Sequence, residues 1–321
     1  MIERLRQVAF LVTDLEEGKE LYRQYLGMET CHTEDLSDYG LVNAVLPAGN
    51  GTFIELLQPT SNDSSAGRYL ARRGEAPYML IFETREYDRI ISQLKSIGVQ
   101  VSEEPASGDY RHFFIHPSYA NGTFIDIIEV NDGDNPWPAA GPNWQTLEHQ
   151  PLTKQIRQTA VLVRNLDEAV NRWEEMFGIK ATKRFHVSFT DLEIAVLPLG
   201  DKSTFIELAQ PTGDDVPSAR FLERYGEGIY LTIYEIEDSL SMDDYLKDQQ
   251  ARYTSSRVTS NYVNLGFNSI WLHPAGMKGA FTQLSQVRVD DNPWPPAGDT
   301  WHIGYFTLYP QPVQIDSNIR L

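Results

Sequence analysis

Cysteine, histidine and positive charge are all scarce in this chain. Its 321 residues hold one cysteine, Cys31. No internal disulfide can form, and no cysteine-rich zinc site exists. Cys31 reads as a small buried side chain rather than a nucleophile. The 7 histidines show no metal-ligand spacing to one another. Lys and Arg number 27 against 45 Asp and Glu, a net charge of −18. Such a surface repels nucleic acid, and no basic stripe offsets the repulsion, so nucleic acid is excluded as a partner. No stretch approaches the roughly 18–20 apolar residues of a membrane helix. The first apolar run, Val8–Val12, is short and followed by acids, which does not read as a signal peptide. The expectation is a cytoplasmic monomer or homodimer that meets no membrane and takes a small-molecule substrate.

Hydrophobic residues make up 41% and charged residues 22% of the chain, a mix that can bury a core. Its length favours two domains, and the sequence says where they come from. LRQVAFLVTDL (Leu5–Leu15) is answered by IRQTAVLVRNL (Ile156–Leu166), and NAVLP (Asn43–Pro47) by IAVLP (Ile194–Pro198). TFIEL occurs at Thr52–Leu56 and again at Thr204–Leu208. GEAPYMLIFE (Gly74–Glu83) is answered by GEGIYLTIYE (Gly226–Glu235), FFIHP by IWLHP, and DNPWPAAG (Asp134–Gly141) by DNPWPPAG (Asp291–Gly298). The order is preserved throughout. The chain therefore reads as two copies of one domain, residues 1–145 and 146–321. A period this long makes each copy a complete domain and not a stacking unit.

Within one copy the pattern predicts a strand at Gln7–Val12, then a helix over Leu15–Leu26 capped by Asp14 and stopped by Gly27. Leu41–Leu46 and Thr52–Leu57 are β-rich runs around PAGNG, a hairpin signal. The order then recurs: strand Tyr78–Glu83, helix Tyr87–Ile97, and strands Val99–Val101, His112–Ile115 and Phe124–Glu129. The predicted class is α+β, with four βαβββ units forming two tandem domains.

QVAFLVTDLEEGKELYRQYLGMET, TFIELLQPTSNDSSAGRYLARRGEAPYMLIFE and FIHPSYANGTFIDIIE, with their second copies, resemble the vicinal oxygen chelate (glyoxalase-like) superfamily, in particular its methylmalonyl-CoA epimerase-like branch. The resemblance covers nearly the whole chain, apart from the DNPWP connectors and the tail after Gly298. It implies concave mixed sheets, with the active site in each cup and each half resembling a whole epimerase-type subunit. It also implies a divalent metal held by four residues of the cup. Carried onto this sequence, those positions are Gln7, Glu55, Met79 and Asp126 in the first half, and Gln158, Glu207, Leu231 and Gln283 in the second. The histidines expected there are gone, and a hard cation does not take Met or Leu as a ligand.

Strand alternation places Gln7, Ala9 and Leu11 on one face, with Phe53, Glu55 and Leu57, and with Phe124, Asp126 and Ile128. In such a cup Glu55 and Asp126 would be two acids among apolar walls, so one pKa should rise. A carboxylate tuned this way can take a proton from a carbon next to a carbonyl. The expectation is an isomerase, epimerase or lyase acting without the usual metal. Glu55, Asp126 and Glu207 would do the acid/base work. Gln7, Gln158, Gln283 and His112 would bind the substrate. Two alternatives stay open. Gln7, Glu55 and Asp126 could hold Mn, Mg or Fe with waters completing the shell. Or the cups could be metal-free binding sites that sequester a small molecule. No basic cluster is apparent for the phosphates of CoA. His116 and His273 read as turn caps. Tyr78 and Tyr230 are expected to face the helices, away from the cup. Trp137 and Trp294 are expected to anchor the connectors.

Overall fold

A computed structural model describes residues 2–106, 108–131, 135–255 and 266–302. Asp134, which opens the first DNPWP word, and the end of the second copy beyond 302 lie outside the described residues.

The first half runs β1 (Ile2–Leu11), α1 (Leu15–Leu26), β2 (His32–Leu36), β3 (Leu41–Gly49), β4 (Thr52–Pro59), α2 (Ser65–Arg73), β5 (Ala76–Thr84), α3 (Tyr87–Ser96), β6 (Val101–Glu103), β7 (Tyr110–Ile115) and β8 (Phe124–Val130). The second half repeats it with β9 (Thr153–Leu162), α4 (Leu166–Phe177), β10 (Phe185–Val187), β11 (Leu192–Pro198), β12 (Phe205–Pro211), α5 (Pro217–Tyr225), β13 (Gly228–Ile236), α6 (Ser239–Asp248), β14 (Tyr253–Ser255), β15 (Phe267–Leu272) and β16 (Thr282–Val287). Each half forms one 8-stranded sheet, in the order β2-β3-β4-β1-β5-β8-β7-β6 and β10-β11-β12-β9-β13-β16-β15-β14. Each sheet is therefore two βαβββ units joined where β1 meets β5, or β9 meets β13, antiparallel. The architecture is the α+β arrangement of two tandem domains that the repeat predicts.

The local signals act as expected. The Asp14 side chain accepts from Glu17 N, and Gly27 closes α1 in the left-handed region, where a side chain would be strained. Asn165 and Gly178 do the same for α4. Two elements were not predicted. The β2 strand has little burial to give it a pattern, and α2 follows a Ser-rich run that reads as loop. The strand expected at Val99–Val101 lies instead at Val101–Glu103, because Val99 is bonded back to Leu94 at the end of α3.

Alternation gives each sheet two apolar faces. On the helix side, Leu5, Phe10, Leu56 and Phe82 join Ile156, Trp173, Leu208 and Tyr234 in one core shared by both halves. On the concave side each half keeps its own cluster, one around Ala9, Phe53, Met79 and Trp137 and the other around Ala160, Phe205, Leu231 and Trp294.

The seam between halves is reciprocal. Leu5 N donates to Thr204 Oγ1 at 3.0 Å, and its counterpart Ile156 N donates to Thr52 Oγ1 at 2.9 Å. Asn121 meets Glu227 at 3.0 Å, and its counterpart Lys278 meets Glu75 at 3.2 Å. Gly122 lies against the Glu227 backbone and Gly279 against that of Glu75, both at positive φ and with no room for a Cβ. Equivalent patches meet each other, the geometry of a two-fold dimer contact inside one chain.

Tyr78 and Tyr230 do not face the helices. Ala9 pairs with Met79, but Phe10 then pairs with Pro77, which leaves Tyr78 as the extra residue of a bulge. The same step skips Tyr230 between Leu231 and Ile229. Both rings pack against the concave clusters, Tyr78 between Tyr69 and Phe124, Tyr230 between Phe221 and Phe281.

Candidate active site

The floor of the first cup is built on β4 and β1. Glu55 is buried at 6% exposure. Its Oε2 accepts from Gln7 Nε2 at 3.3 Å, and its Oε1 accepts from Asn43 Nδ2 at 2.8 Å. Neither amide is free to flip. An indole N–H can only donate, and Trp137 Nε1 lies 2.5 Å from Gln7 Oε1, so Gln7 must turn its NH2 to Glu55. Likewise Asn43 Oδ1 accepts from Glu34 N at 2.8 Å. Burial is the largest cause acting on the Glu55 carboxyl and pushes its pKa up to about 7. The Asn43 hydrogen bond opposes the rise, the Asp126 charge adds to it, and the Gln7 bond opposes it. Near neutrality this group is poised between its two states.

Asp126 comes from β8 on the same concave face, but it does not bond to Glu55. Its two oxygens lie 3.1 and 3.3 Å from His112 Nδ1 on β7. Burial raises the Asp126 pKa, and the His112 contact opposes that rise. His112 is itself pulled down by burial, but the Asp126 hydrogen bond and charge outweigh this and leave it raised. The expectation that mutual charge would lift one of two acids is thus refined. Desolvation leads at both; the Asp126 charge is a lesser cause at Glu55, and the Glu104 charge a lesser cause at Asp126. The wall around this pair is aromatic: Tyr110 and Phe114 flank the imidazole at 5.5 and 5.2 Å, and Tyr39 stands edge-on to Phe114.

The connector packs into the concave cluster of this cup. Asn135 ties the loop: its Oδ1 accepts from Trp137 N and from Trp144 Nε1, and its Nδ2 donates to Gly141 O. Trp137 is fully buried in the concave cluster. An indole of this size contributes roughly 4–6 kcal/mol of transfer free energy before ordering costs. The anchoring role holds, and the hydrogen bond to Gln7 was not foreseen.

The second cup repeats the connector and loses much of the rest. Asn292, Trp294, Trp301 and Gly298 form the same tied loop. Trp294 Nε1 donates to Gln158 Oε1 at 2.8 Å, and Gln158 Nε2 donates to Glu207 Oε2 at 2.5 Å. Burial pushes Glu207 up to about 7, with the Gln158 bond opposing. Ile194 stands where Asn43 does, so Glu207 lacks that donor. Gln283, at the Asp126 position, lies apart from Glu207. Its Oε1 accepts from Trp271 Nε1 at 3.0 Å, and its Nε2 donates to Ser269 and Ser285 at 3.0 and 2.9 Å.

The structure thus joins Gln7 to Glu55, Gln158 to Glu207, and His112 to Asp126, and it leaves Gln283 in a separate network. Asn43 was missed, although it is the one letter by which NAVLP differs from IAVLP. Among the described residues no three His, Cys, Asp or Glu side chains gather as a metal-binding group. The remaining candidates take structural places. Cys31 Sγ contacts the Val45 and Ala140 carbonyls, and burial raises its thiol to about 12. His116 and His273 accept from the backbone N–H two residues on, as turn caps do.

Comparison with known proteins follows this geometry. Residues 6–115 and 157–267 match the family described as the glyoxalase/bleomycin resistance protein/dioxygenase superfamily. An ethylmalonyl-CoA/methylmalonyl-CoA epimerase of Cereibacter sphaeroides is 31% identical over 135 residues, 40% of this chain and 100% of the relative. The human mitochondrial methylmalonyl-CoA epimerase is 27% identical over 131 residues, 40% of this chain and 74% of the relative. A mutant 4-hydroxymandelate synthase of Streptomyces coelicolor superposes with a TM-score of 0.70 at 14% identity, over 92% of this chain and 95% of the other. That last likeness concerns the fold alone. No helix among the described residues is long and apolar enough to cross a membrane.

Proposed function

The chain belongs to the glyoxalase/bleomycin resistance protein/dioxygenase superfamily, and from that premise we propose that its first cup moves a proton at a carbon next to a carbonyl, an epimerase or isomerase reaction. The observation that carries this reading is Glu55, a buried carboxyl near pKa 7 with both oxygens held by fixed amide donors. A base works best when its pKa lies near the working pH. As the carbon–hydrogen bond breaks, the proton goes to Glu55 and the electron pair moves onto the carbonyl oxygen. Return of a proton on the other face gives the epimer. The substrate class is a small carbonyl compound. The epimerase relatives make methylmalonyl-CoA and ethylmalonyl-CoA the first to try.

The family implies a divalent metal, and the donors here can be tested against it. Gln7 gives its oxygen to Trp137 and turns its nitrogen toward Glu55. Met79 brings a thioether, and both Asp126 oxygens face His112. In the second cup Leu231 brings nothing, and Gln283 gives its oxygen to Trp271. We read this set as unfit for a hard cation, which wants several free oxygens, and derive no step through one.

We read the second cup as non-catalytic. Its Glu207 faces no second titrating group at the Asp126 position, because Gln283 replaces it and is fully engaged. The test is deuterium uptake from solvent at C2 of the two thioesters. Glu55→Gln is expected to abolish uptake and Glu207→Gln to leave it within about twofold. Undiminished uptake in Glu55→Gln would sink the assignment.

A further inference from the structure

We propose that a cleft at one end of the seam between the halves binds a free α-amino acid, with its ammonium between Glu168 and Glu227 and its carboxylate on Arg164 and Arg172. None of these residues belongs to either concave cluster, so the site stands apart from Glu55 and its chemistry.

The two-fold relation between the halves shows what such a place can hold. At one end of the seam Lys278 is buried, and its ammonium lies 2.5 Å from Glu17 and 3.2 Å from Glu75. Thr13 N also donates to Glu75, at 2.9 Å. At the other end Glu168 stands for Glu17 and Glu227 for Glu75. Arg164 N donates to Glu227 at 2.7 Å, as Thr13 N does to Glu75. No side chain supplies the equivalent of the lysine ammonium. Asn121 stands for Lys278, is shorter, and meets only Glu227 of the two acids. Its orientation is fixed, because Trp173 Nε1 donates to Oδ1 at 3.1 Å and so turns Nδ2 to Glu227 at 3.0 Å. Among the described residues no Lys, Arg or His side chain pairs with Glu168 or Glu227. Between them lies a cleft of about 480 Å³, whose lining includes Asn121, Arg164, Glu168, Arg172 and Glu227.

The cations of this cleft have no counterpart at the other end. Arg164 replaces Thr13, and Arg172 replaces Leu21. Arg164 Nη2 donates to Leu222 O at 3.1 Å, which holds the guanidinium and leaves other N–H groups of its fork for a ligand. Glu168 and Arg172 are four residues apart on α4, the spacing of a helix ion pair. Yet neither has an ion-pair partner among the described residues, and both line the cleft.

Two carboxylates in the arrangement that holds an ammonium, beside two guanidinium groups, suit a ligand that carries both charges. A simple anion is drawn by the arginines and repelled by the glutamates, and a simple amine the reverse. A free amino acid bears both groups on one carbon. Its carboxylate suits the guanidinium fork, and the cleft has the volume of a small-molecule site. Asn121 belongs to the first half and the four charged residues to the second, so such a ligand would touch both.

Calorimetric titration of the full chain with each of the standard L-amino acids, at millimolar concentration, tests the proposal. At least one is expected to bind, and to raise the melting temperature as its concentration rises. Its methyl ester lacks the anionic end and its N-acetyl derivative the cationic one. Each is expected to bind at least about tenfold more weakly. Asn121→Lys copies the other end of the seam and brings the chain's own ammonium to the glutamates, and it is expected to abolish binding. Arg172→Leu copies Leu21. It is expected to melt as wild type and to bind at least about tenfold more weakly. Binding by none of the amino acids overturns the proposal. So does equal binding of the ester or the N-acetyl derivative, or undiminished binding in Arg172→Leu. Inorganic phosphate that binds as tightly as the amino acid would make this an anion site and overturns it as well.

Discussion

The two cups are lined from the same words and differ in a handful of letters. Both keep the Trp–Gln–Glu chain, Trp137–Gln7–Glu55 and Trp294–Gln158–Glu207. Only the first keeps Asn43, His112 and Asp126. The second has Ile194, Ser269 and Gln283 there, with Ser285 added to tie Gln283 down. What is shared orders the floor. What differs is the Asn43 donor to the buried carboxyl and the titratable pair His112 and Asp126. The seam is shared too, so the halves depend on each other structurally while their sites have parted.

The seam gives the largest expected effect. Gly122→Ala and Gly279→Ala each push a Cβ into the backbone of the other half, at a φ near +73° and +79°. Backbone cannot move aside as a side chain can. Each substitution is expected to cost upward of about 3 kcal/mol, read as a fall in urea midpoint. A loss for one glycine and none for the other would break the two-fold description.

Next come the buried carboxyls. Their folded pKa, about 7, lies above the ordinary carboxylate value of 4.5. Between those values the unfolded chain gives up the proton while the native protein keeps it. The stability these two groups contribute is therefore full below about pH 4.5, falls as pH rises toward 7, and is gone above. Each carboxyl accounts for about 3 kcal/mol over that window. Glu55→Gln and Glu207→Gln should each flatten the slope and raise stability at pH 8, with the raised pKa values of Asp126 and His112 leaving a residual slope in the double variant. Urea titrations across pH 4–9 measure it, and an unchanged slope would show that the two groups ionise as freely as in water.

The Trp clamps come third. Trp137→Phe leaves Gln7 Oε1 buried without its donor, and Trp294→Phe does the same to Gln158. The expected cost is about 1–3 kcal/mol each, beyond the small change in volume. Adding Gln7→Leu to Trp137→Phe should not return the loss, because Gln7 also donates to Glu55 Oε2, which the double substitution leaves without that donor.

How far the sequence reached follows from the same contrast. The fold was legible because whole words repeat in order and each unit shows its caps, Asp14 and Gly27 above all. Gln7, Glu55 and Asp126 were legible as a face because strands alternate. The bulge that turns Tyr78 was not, since an extra residue leaves no mark on composition. The partners were not legible either. His112 and Asp126 are 14 residues apart, and Trp137 and Gln7 are 130 apart. Which polar atom meets which depends on how the sheet curls and where the connector returns, and no local spacing records that.

Asn43 offers the finest test of the comparison. It is the one donor Glu55 has and Glu207 lacks, and its oxygen is already held by Glu34 N, so its nitrogen can only serve the carboxylate. A donor to a carboxylate favours the charged form. Asn43→Ile makes the first floor resemble the second, and Glu55 should then titrate above 7. A change of about one unit corresponds to about 1.4 kcal/mol. The reverse exchange, Ile194→Asn, should move Glu207 down by a similar amount. Both shifts are read from the pH at which the stability slope levels off in each variant, with the other glutamate replaced by Gln so that one carboxyl is seen at a time. If Glu55 stays in place without Asn43, then Gln7 and its Trp clamp hold the carboxylate unaided, and the two floors are electrostatically the same.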